Sequence, residues 1–568
     1  MANDIFSVKI GGMAGQGVKA AGLLLAKMAT RSGYQIYTYI EYPSLIRGGH
    51  NNIQINISSR GVTAPRQTSD FLMALNQDTI DRHGENLPAG AGILFDTDGN
   101  INVPKSEKNI SVFPVPLAKL AKDSGGQELL ENTVAVGATL FLLSGNLKIL
   151  QEVIRDEFAG KEDDVLSANL KAAEAGFTFA QKNFSGKEKK ILASKESARP
   201  VVVNGNEAVA LGAIAGGLQF AAIYPMSPIS DILHALAAYQ EKFNYIYKQP
   251  EDEISAINMC LGAAFAGARA LTATSGGGFC LMTESLGLAA MTETPVVIVE
   301  GMRGGPATGL PTWSEQGDLQ FALHAHQGDF SRIVLAAGDA REAFNLTRQA
   351  LNLADYYQTP VILLIDKNIC DHSQSFANLE DGNFEFYRGK YTTMPNADFQ
   401  RYALSDDGIS PRTVPGTGNF FLANSDEHNP VGFSSEEISD RRAQTEKRMR
   451  KLATCAVRDM MAPELFGDPE GETTIVSWGS CKGSILEALK TLKNVNYLHL
   501  TWLSPFPTEA VKERLAKAKR VVLVEANFTG QLGNLITEKT GIQIENRILK
   551  YDGRPFFPEE IAEKIKSL

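Results

Sequence analysis

The chain has 568 residues, 43% of them apolar and 21% charged, with a formal net charge of -10. That length exceeds one hydrophobic core and predicts about three or four domains of an ordinary globular protein. The acidic balance argues against a protein that neutralises nucleic-acid phosphates, and no window of some 18 apolar residues offers a membrane span.

The opening stretch MANDIFSVKIGGMAGQGV shows no basic and then apolar leader, so a cytoplasmic protein is expected. IFSVKI, a glycine turn, VKAAGLLLAKMAT and YQIYTYI alternate as strand, helix and strand, which predicts a parallel α/β unit over residues 1–184. The turn GGMAGQGVKAAG lies where backbone N–H groups and a helix dipole can receive a phosphate. Gly15, Gly17 and Ala20 match G-x-G-x-x-A, and Glu41 closes the next strand where a ribose-binding acid would stand. A dinucleotide site and a plain tight turn are both open readings. RGGHNN, Arg47 to Asn52, either adds a cation to that ligand or is a glycine turn before the strand IQINIS. Residues 185–200, SGKEKKILASKESARP, are charged and small and predict a linker.

A second α/β unit, residues 201–370, begins at VVVNG and contains PVVIVEG and PVILLID, expected as strands buried on both faces. In YPMSPIS, Ser227 stands between prolines, either as a fixed donor for a carboxylate or carbonyl or as part of a helix start. In QPEDEISAINMCLGAAFAGARALTATSGGGF three acids precede a run from Ile254 to Gly267 without charge, expected as a buried helix. Acids in a first turn complement the helix dipole, so Glu251, Asp252 and Glu253 have a capping explanation. Alternatively, Glu253 points inward and shares a proton with a ligand nitrogen. The glycines at 276–278 allow a backbone to approach a ring or phosphate. MRGGPATGLPT sets Arg303 at a strand's carboxyl end, as a surface residue or as a carboxylate clamp.

Residues 371–465 are polar, aromatic and turn-rich, closing in SSEEISDRRAQTEKRMRKLATCAV, and predict an irregular segment and a solvated helix. A third α/β unit, residues 466–568, has the strands TTIVSWG, VNYLHL and RVVLVEAN. The five cysteines form no C-x-x-C pair and the eight histidines lack metal spacing, so no metal or cluster is expected on this chain.

The ordered series GGMAGQGV, RGG, YPMSPIS, EDEISAINMCLGAAFAGARALTATSGGGF, RGGPATGLPT, DGISPRTVPG and NFTGQL resembles the 2-oxoacid:ferredoxin oxidoreductases. It is similar to the alpha subunit of a 2-oxoglutarate-type member with the family's gamma domain fused in front. The resemblance implies three α/β domains: a gamma domain, a thiamine pyrimidine-binding domain and a transketolase C-terminal-like domain, with the irregular insert between the last two. In that family a further domain binds the diphosphate and magnesium through a G-D-G motif. This chain has TDGN, EDGN and YDGR but no G-D-G. The resemblance therefore implies a beta subunit carrying the diphosphate site, Mg2+ and a 4Fe-4S cluster, in a dimer of heterodimers. Ferredoxin would be the acceptor and coenzyme A the co-substrate, in reversible conversion of 2-oxoglutarate to succinyl-CoA and CO2.

By position, the resemblance makes Glu253 the catalytic residue, bonding the pyrimidine nitrogen and driving the imino tautomer that activates the thiazolium carbon. It places Tyr224, Pro225, Gly276 and Gly277 beside thiamine diphosphate. Ser227, where the family usually has threonine, and Arg303 and Thr308 would meet the substrate, with Arg412 on the distal carboxylate of 2-oxoglutarate. Gly15, Gly17 and Arg47 would meet coenzyme A phosphates. Pyruvate or a branched-chain 2-oxoacid is the alternative substrate. The rival readings are a nicotinamide-dependent dehydrogenase built on GQGVKA and Glu41, and a non-catalytic interaction subunit.

Overall fold

The computed structural model describes residues 5–43, 49–105, 107–125, 130–193, 200–380 and 382–568. Arg47 and residues 194–199 of the expected linker lie outside them. The contacts divide the chain into two compact units. One is Met1–Val203 with His372–Asn378 and Phe557–Glu560; the other is Asn204–Asp371 with Leu379–Phe556 and Ile561–Leu568.

The first unit holds an eight-stranded sheet in the order Ser111–Val115, Gly92–Asp96, Phe71–Ala74, Ile5–Met13, His50–Ser58, Gln35–Glu41, Gln374–Phe376, Val201–Val203. The first four strands are parallel, but His50–Ser58 runs antiparallel between Ile5–Met13 and Gln35–Glu41, with Gly11 opposite Asn52 and Ile36 opposite Ile57. The all-parallel reading of this unit is thus corrected. The few residues between Glu41 and His50 fall short of the dozen or more that a parallel crossover needs, so the chain returns antiparallel. Leu24, Leu25 and Met28 of the helix Val18–Arg31 pack in the same core as the helices Glu131–Leu142 and Asp163–Phe184.

The second unit holds two sheets. PVVIVEG and PVILLID become Val296–Met302 and Pro360–Asp366, neighbours in register with every residue buried, as two-sided burial predicts. The seven-stranded order is Trp502–Ser504, Ile333–Ala336, Pro360–Asp366, Val296–Met302, Ala270–Thr274, Phe220–Ala222, Ile246–Lys248. Six of these strands run parallel; Trp502–Ser504 alone is antiparallel and comes from the last third of the chain. The five-stranded sheet shares its core, where Ile298 and Leu364 cluster with Trp478, Leu500 and Leu523.

The turn-rich insert closes in the helix Ile438–Arg458, whose Gln444, Lys447, Arg448, Lys451 and Cys455 are buried. The solvated-helix reading is corrected on that face. Lys447 Nζ lies 2.6 Å from Glu293 Oε1 and Lys451 Nζ 2.7 Å from Oε2, an acid supplied by a distant segment. Among the described residues no helix is long and apolar enough to cross a membrane.

Candidate active site

Three adjacent parallel strands, Phe220–Ala222, Ala270–Thr274 and Val296–Met302, end on one edge of the seven-stranded sheet, and a candidate loop follows each. Ligands of open α/β sheets sit at such carboxyl ends. The helix Glu253–Phe265 leads into the middle strand. Asp252 is its N-cap, with Oδ1 accepting from the Ser255 N–H at 2.7 Å. Glu251 Oε1 accepts the Ser255 hydroxyl at 2.7 Å, a bond that holds the Glu251 carboxyl below its ordinary range.

With both capping roles filled by its neighbours, Glu253 turns inward. It is 3% exposed, and its Oε1 is buried with no hydrogen-bond donor among the described residues. It faces the first turn of the helix Gly276–Met291. A Cβ on Gly278 would lie 2.5 Å from Glu253 Oε1 and 2.1 Å from Thr274 Oγ1, so only glycine fits there. The Ser275 hydroxyl, at the N-cap of that helix, is also buried without a partner among the described residues. Gly277 is exposed, and a Cβ there would meet nothing within 4 Å.

The second loop carries Tyr224, half-buried, and Pro225 and Ser227, both exposed. It is seated on Gly301, where a Cβ would come 2.3 Å from Ile229 Cγ2, and Asn206 Nδ2 donates to the Pro228 carbonyl at 2.9 Å. Arg303 Nη1 donates to the Ser227 carbonyl at 2.8 Å, so these two candidates are brought together. Burial lowers the Arg303 pKa and the Asp318 carboxylate partly restores it. Thr308 stands exposed on the loop that the Leu310 N–H closes onto the Gly304 carbonyl at 2.7 Å.

Two acids of this site escaped sequence reasoning. Glu300, 0% exposed, lies two residues before the end of the strand Val296–Met302, and Asp318 Oδ2 lies 2.7 Å from where a Gly276 Cβ would stand. Their carboxyls are hydrogen-bonded to each other. An ionisable residue closing the otherwise apolar PVVIVEG is the signal that could have found the first.

Arg412 is not part of this arrangement. It is 2% exposed, with Nη1 on Asp355 Oδ1 at 2.7 Å and Nη2 on the Ala264 carbonyl at 2.7 Å. Ala264 stands eleven residues after Glu253 in one helix, about 16 Å along its axis. The assignment of Arg412 to a distal substrate carboxylate is corrected accordingly: Asp355, which also meets Arg388, occupies its guanidinium.

In the first unit, Gly15 has φ +99° and open space around its Cβ position. Gly17 is packed on Asn132, whose Nδ2 donates to its carbonyl at 3.2 Å. Glu41 does not stand as a free ribose acid. Its Oε1 accepts from Tyr39 at 2.6 Å and its Oε2 from Asn52 at 2.8 Å, and the antiparallel strand beside Ile5–Met13 departs from a dinucleotide fold.

The residues around Glu253 fit the pyrimidine half of thiamine diphosphate. A buried carboxylate oxygen without a donor can take one from a ring nitrogen, and the side-chain-free turn admits a flat ring.

Three family models match the chain. "Pyruvate flavodoxin/ferredoxin oxidoreductase, thiamine diP-bdg" matches residues 211–447, "Pyruvate ferredoxin/flavodoxin oxidoreductase" residues 7–179, and "Pyruvate:ferredoxin oxidoreductase core domain II" residues 471–561. A 2-oxoacid:ferredoxin oxidoreductase subunit alpha of Sulfolobus sp is 33% identical over 98% of this chain and 96% of its own length. The 2-oxoglutarate oxidoreductase subunit KorA of Mycobacterium tuberculosis is 29% identical over 99% of this chain and 91% of its own. Among solved structures, a 2-oxoglutarate:ferredoxin oxidoreductase from Magnetococcus marinus, with 2-oxoglutarate, coenzyme A and succinyl-CoA bound, superposes with a TM-score of 0.91 at 31% identity. The match covers 100% of this chain and 99% of that one.

Proposed function

The chain belongs to the 2-oxoacid:ferredoxin oxidoreductases as an alpha subunit, and on that premise we propose that it serves the oxidative decarboxylation of 2-oxoglutarate to succinyl-CoA and CO2. In this reading ferredoxin takes the electrons, and a beta subunit supplies the diphosphate site, Mg2+ and the 4Fe-4S cluster. The observation that carries the thiamine part is the inward Glu253 with its unmatched buried oxygen.

Thiamine diphosphate, when bound, supplies the nucleophile for the 2-oxo group and the sink for the electrons of the broken carbon bond. Glu253 holds a proton between its Oε1 and a pyrimidine ring nitrogen. Gly276 and Gly277 keep side chains off the ring, and Tyr224 and Pro225 wall the neighbouring loop. Arg303 spends one N–H on the Ser227 carbonyl and turns its other donors to a substrate carboxylate. The exposed Ser227 and Thr308 hydroxyls add donors at the mouth. In the first unit, Gly15 leaves a phosphate of coenzyme A free approach to the amides opening the helix Val18–Arg31, while Gly17 shapes the turn.

The partner is supported by the outer face of the helix that begins at Glu253. Ile254, Asn258, Met259, Gly262 and Phe265 form an exposed, uncharged stripe at helical spacing. An uncharged stripe beside a cofactor site suits a second chain that closes over it. Substrate choice follows the relatives: the Magnetococcus enzyme holds 2-oxoglutarate and the mycobacterial subunit is named for it.

The test is reconstitution with the beta subunit and a panel of 2-oxoacids. Expected are tight thiamine diphosphate binding only in the complex and a kcat/KM for 2-oxoglutarate at least about tenfold above pyruvate. Equal thiamine affinity of the chain alone would undo the split site, and a pyruvate preference would reassign the substrate.

A further inference from the structure

Glu300 poses a problem of donors. It is fully buried, and no hydrogen-bond donor among the described residues reaches either carboxyl oxygen if both it and Asp318 are ionised. Its hydrogen-bond neighbour, the Asp318 carboxyl, is itself only an acceptor when charged. One proton between the two removes their repulsion and provides the missing donor. Burial, followed by Asp318 and Cys280, pushes the Glu300 carboxyl well above its ordinary range. Burial also raises Asp318, but the bond from Glu300 and the Arg303 guanidinium pull it back, which makes Asp318 the ionised member. The remaining acid beside them, Glu315, is raised by burial and by Asp318, as is the Cys280 thiol. Asp318 also packs against Gly276, on the turn read as the cofactor's, and Arg303 reaches from there to the Ser227 carbonyl.

Resting on the reading of Arg303 as the substrate clamp, we propose that Glu300 and Asp318 form an acid–carboxylate pair that positions Arg303. Asp318 supplies one negative charge behind the guanidinium, and protonated Glu300 keeps a second from forming there. No bond is made or broken in this role. Because the Glu300 carboxyl is held above the ordinary glutamate range, the proton stays through that range and is lost as pH rises further. Two charges behind Arg303 then compete with the substrate carboxylate, and the loss appears in KM.

The experiment measures KM and kcat for 2-oxoglutarate against pH in the reconstituted complex carrying Glu300→Gln or Asp318→Asn. Infrared spectra of the glutamate-labelled wild-type complex are recorded alongside. In the wild type KM rises on the alkaline side. Glu300→Gln, which still donates to Asp318 but has no proton to lose, removes that rise. Asp318→Asn raises KM roughly threefold to tenfold at every pH, with kcat altered less. A protonated glutamate carbonyl band that Glu300→Gln removes persists above the ordinary glutamate range, alongside that of Glu525, which burial raises to about 7. An unchanged KM profile in Glu300→Gln, or no such band in the wild type, would overturn the proposal. The wild-type band keeps it testable if either variant fails to fold. Should Arg303→Ala leave KM untouched, the clamp reading fails while the band still reports on the pair.

Discussion

The helix Gly276–Met291 has a buried glutamate beside each end, and the two are treated in opposite ways. At its first turn Glu253 has one oxygen without a donor and a glycine pressed against it. Past its last turn Glu293, 0% exposed, is bound by Lys447 at 2.6 Å and Lys451 at 2.7 Å, while Arg401 donates to its backbone carbonyl at 2.7 Å. Burial alone would raise the Glu293 carboxyl, but Lys451, Lys447 and Arg401 outweigh it and hold the group well below its usual range. A buried acid that the chain satisfies itself ties segments together; one left unsatisfied is kept for something from outside.

The largest expected effect lies at the unsatisfied end. Glu253→Gln should lower oxoacid-dependent dye reduction by about 10²- to 10⁴-fold with the complex intact and thermal stability unchanged or higher. Near-normal turnover would make the two glutamates alike. At the satisfied end Glu293→Gln strands two buried lysines and should cost about 3–5 kcal/mol, read as a lower denaturant midpoint. Because the Glu293 pKa is depressed, its contribution is whole above about 4.5, the ordinary glutamate value, and is lost as pH falls further. The acid limb of the unfolding curve should therefore flatten in the variant, and an unchanged limb would count against the ion cluster. The smallest effect belongs to the exposed stripe. Met259→Glu, at a side chain 42% exposed, should leave the melting of the chain alone and weaken its association with the beta subunit by about 1–3 kcal/mol in sedimentation or calorimetry.

The sequence showed the fold class because periodicity is a local property: PVVIVEG and PVILLID announced buried parallel strands, and both are. It hid what depends on distant partners. Lys447 and Lys451 read as solvated because their acid lies some 150 residues earlier, and Arg412 read as available because its partner Asp355 lies 57 residues earlier. The strand His50–Ser58 inserted itself where a simple strand–helix–strand reading saw parallel neighbours. In the acid triplet, spacing could not divide the roles; Asp252 and Glu251 both turn to Ser255, and only then does Glu253 stand apart. The uncharged run after it was read as wholly buried. Only its inner face, with Ala256, Ile257, Cys260, Leu261 and Ala264, is buried.

The antiparallel strand Trp502–Ser504 bears on how the chain is made. Its partner Ile333–Ala336 leaves the ribosome roughly 165 residues earlier, which at about 5–20 residues per second is an interval of roughly ten to thirty seconds. For that time the sheet bearing the candidate active site has an open border, an invitation to wrong pairing. Completing it needs the Thr501 carbonyl to accept from the Ala336 N–H and the Ser504 hydroxyl to reach the Arg332 carbonyl. A nascent chain stalled or cut before residue 500 would carry every loop of the site and still lack the strand that seals its sheet, so quality control during synthesis has a defined window in which to act.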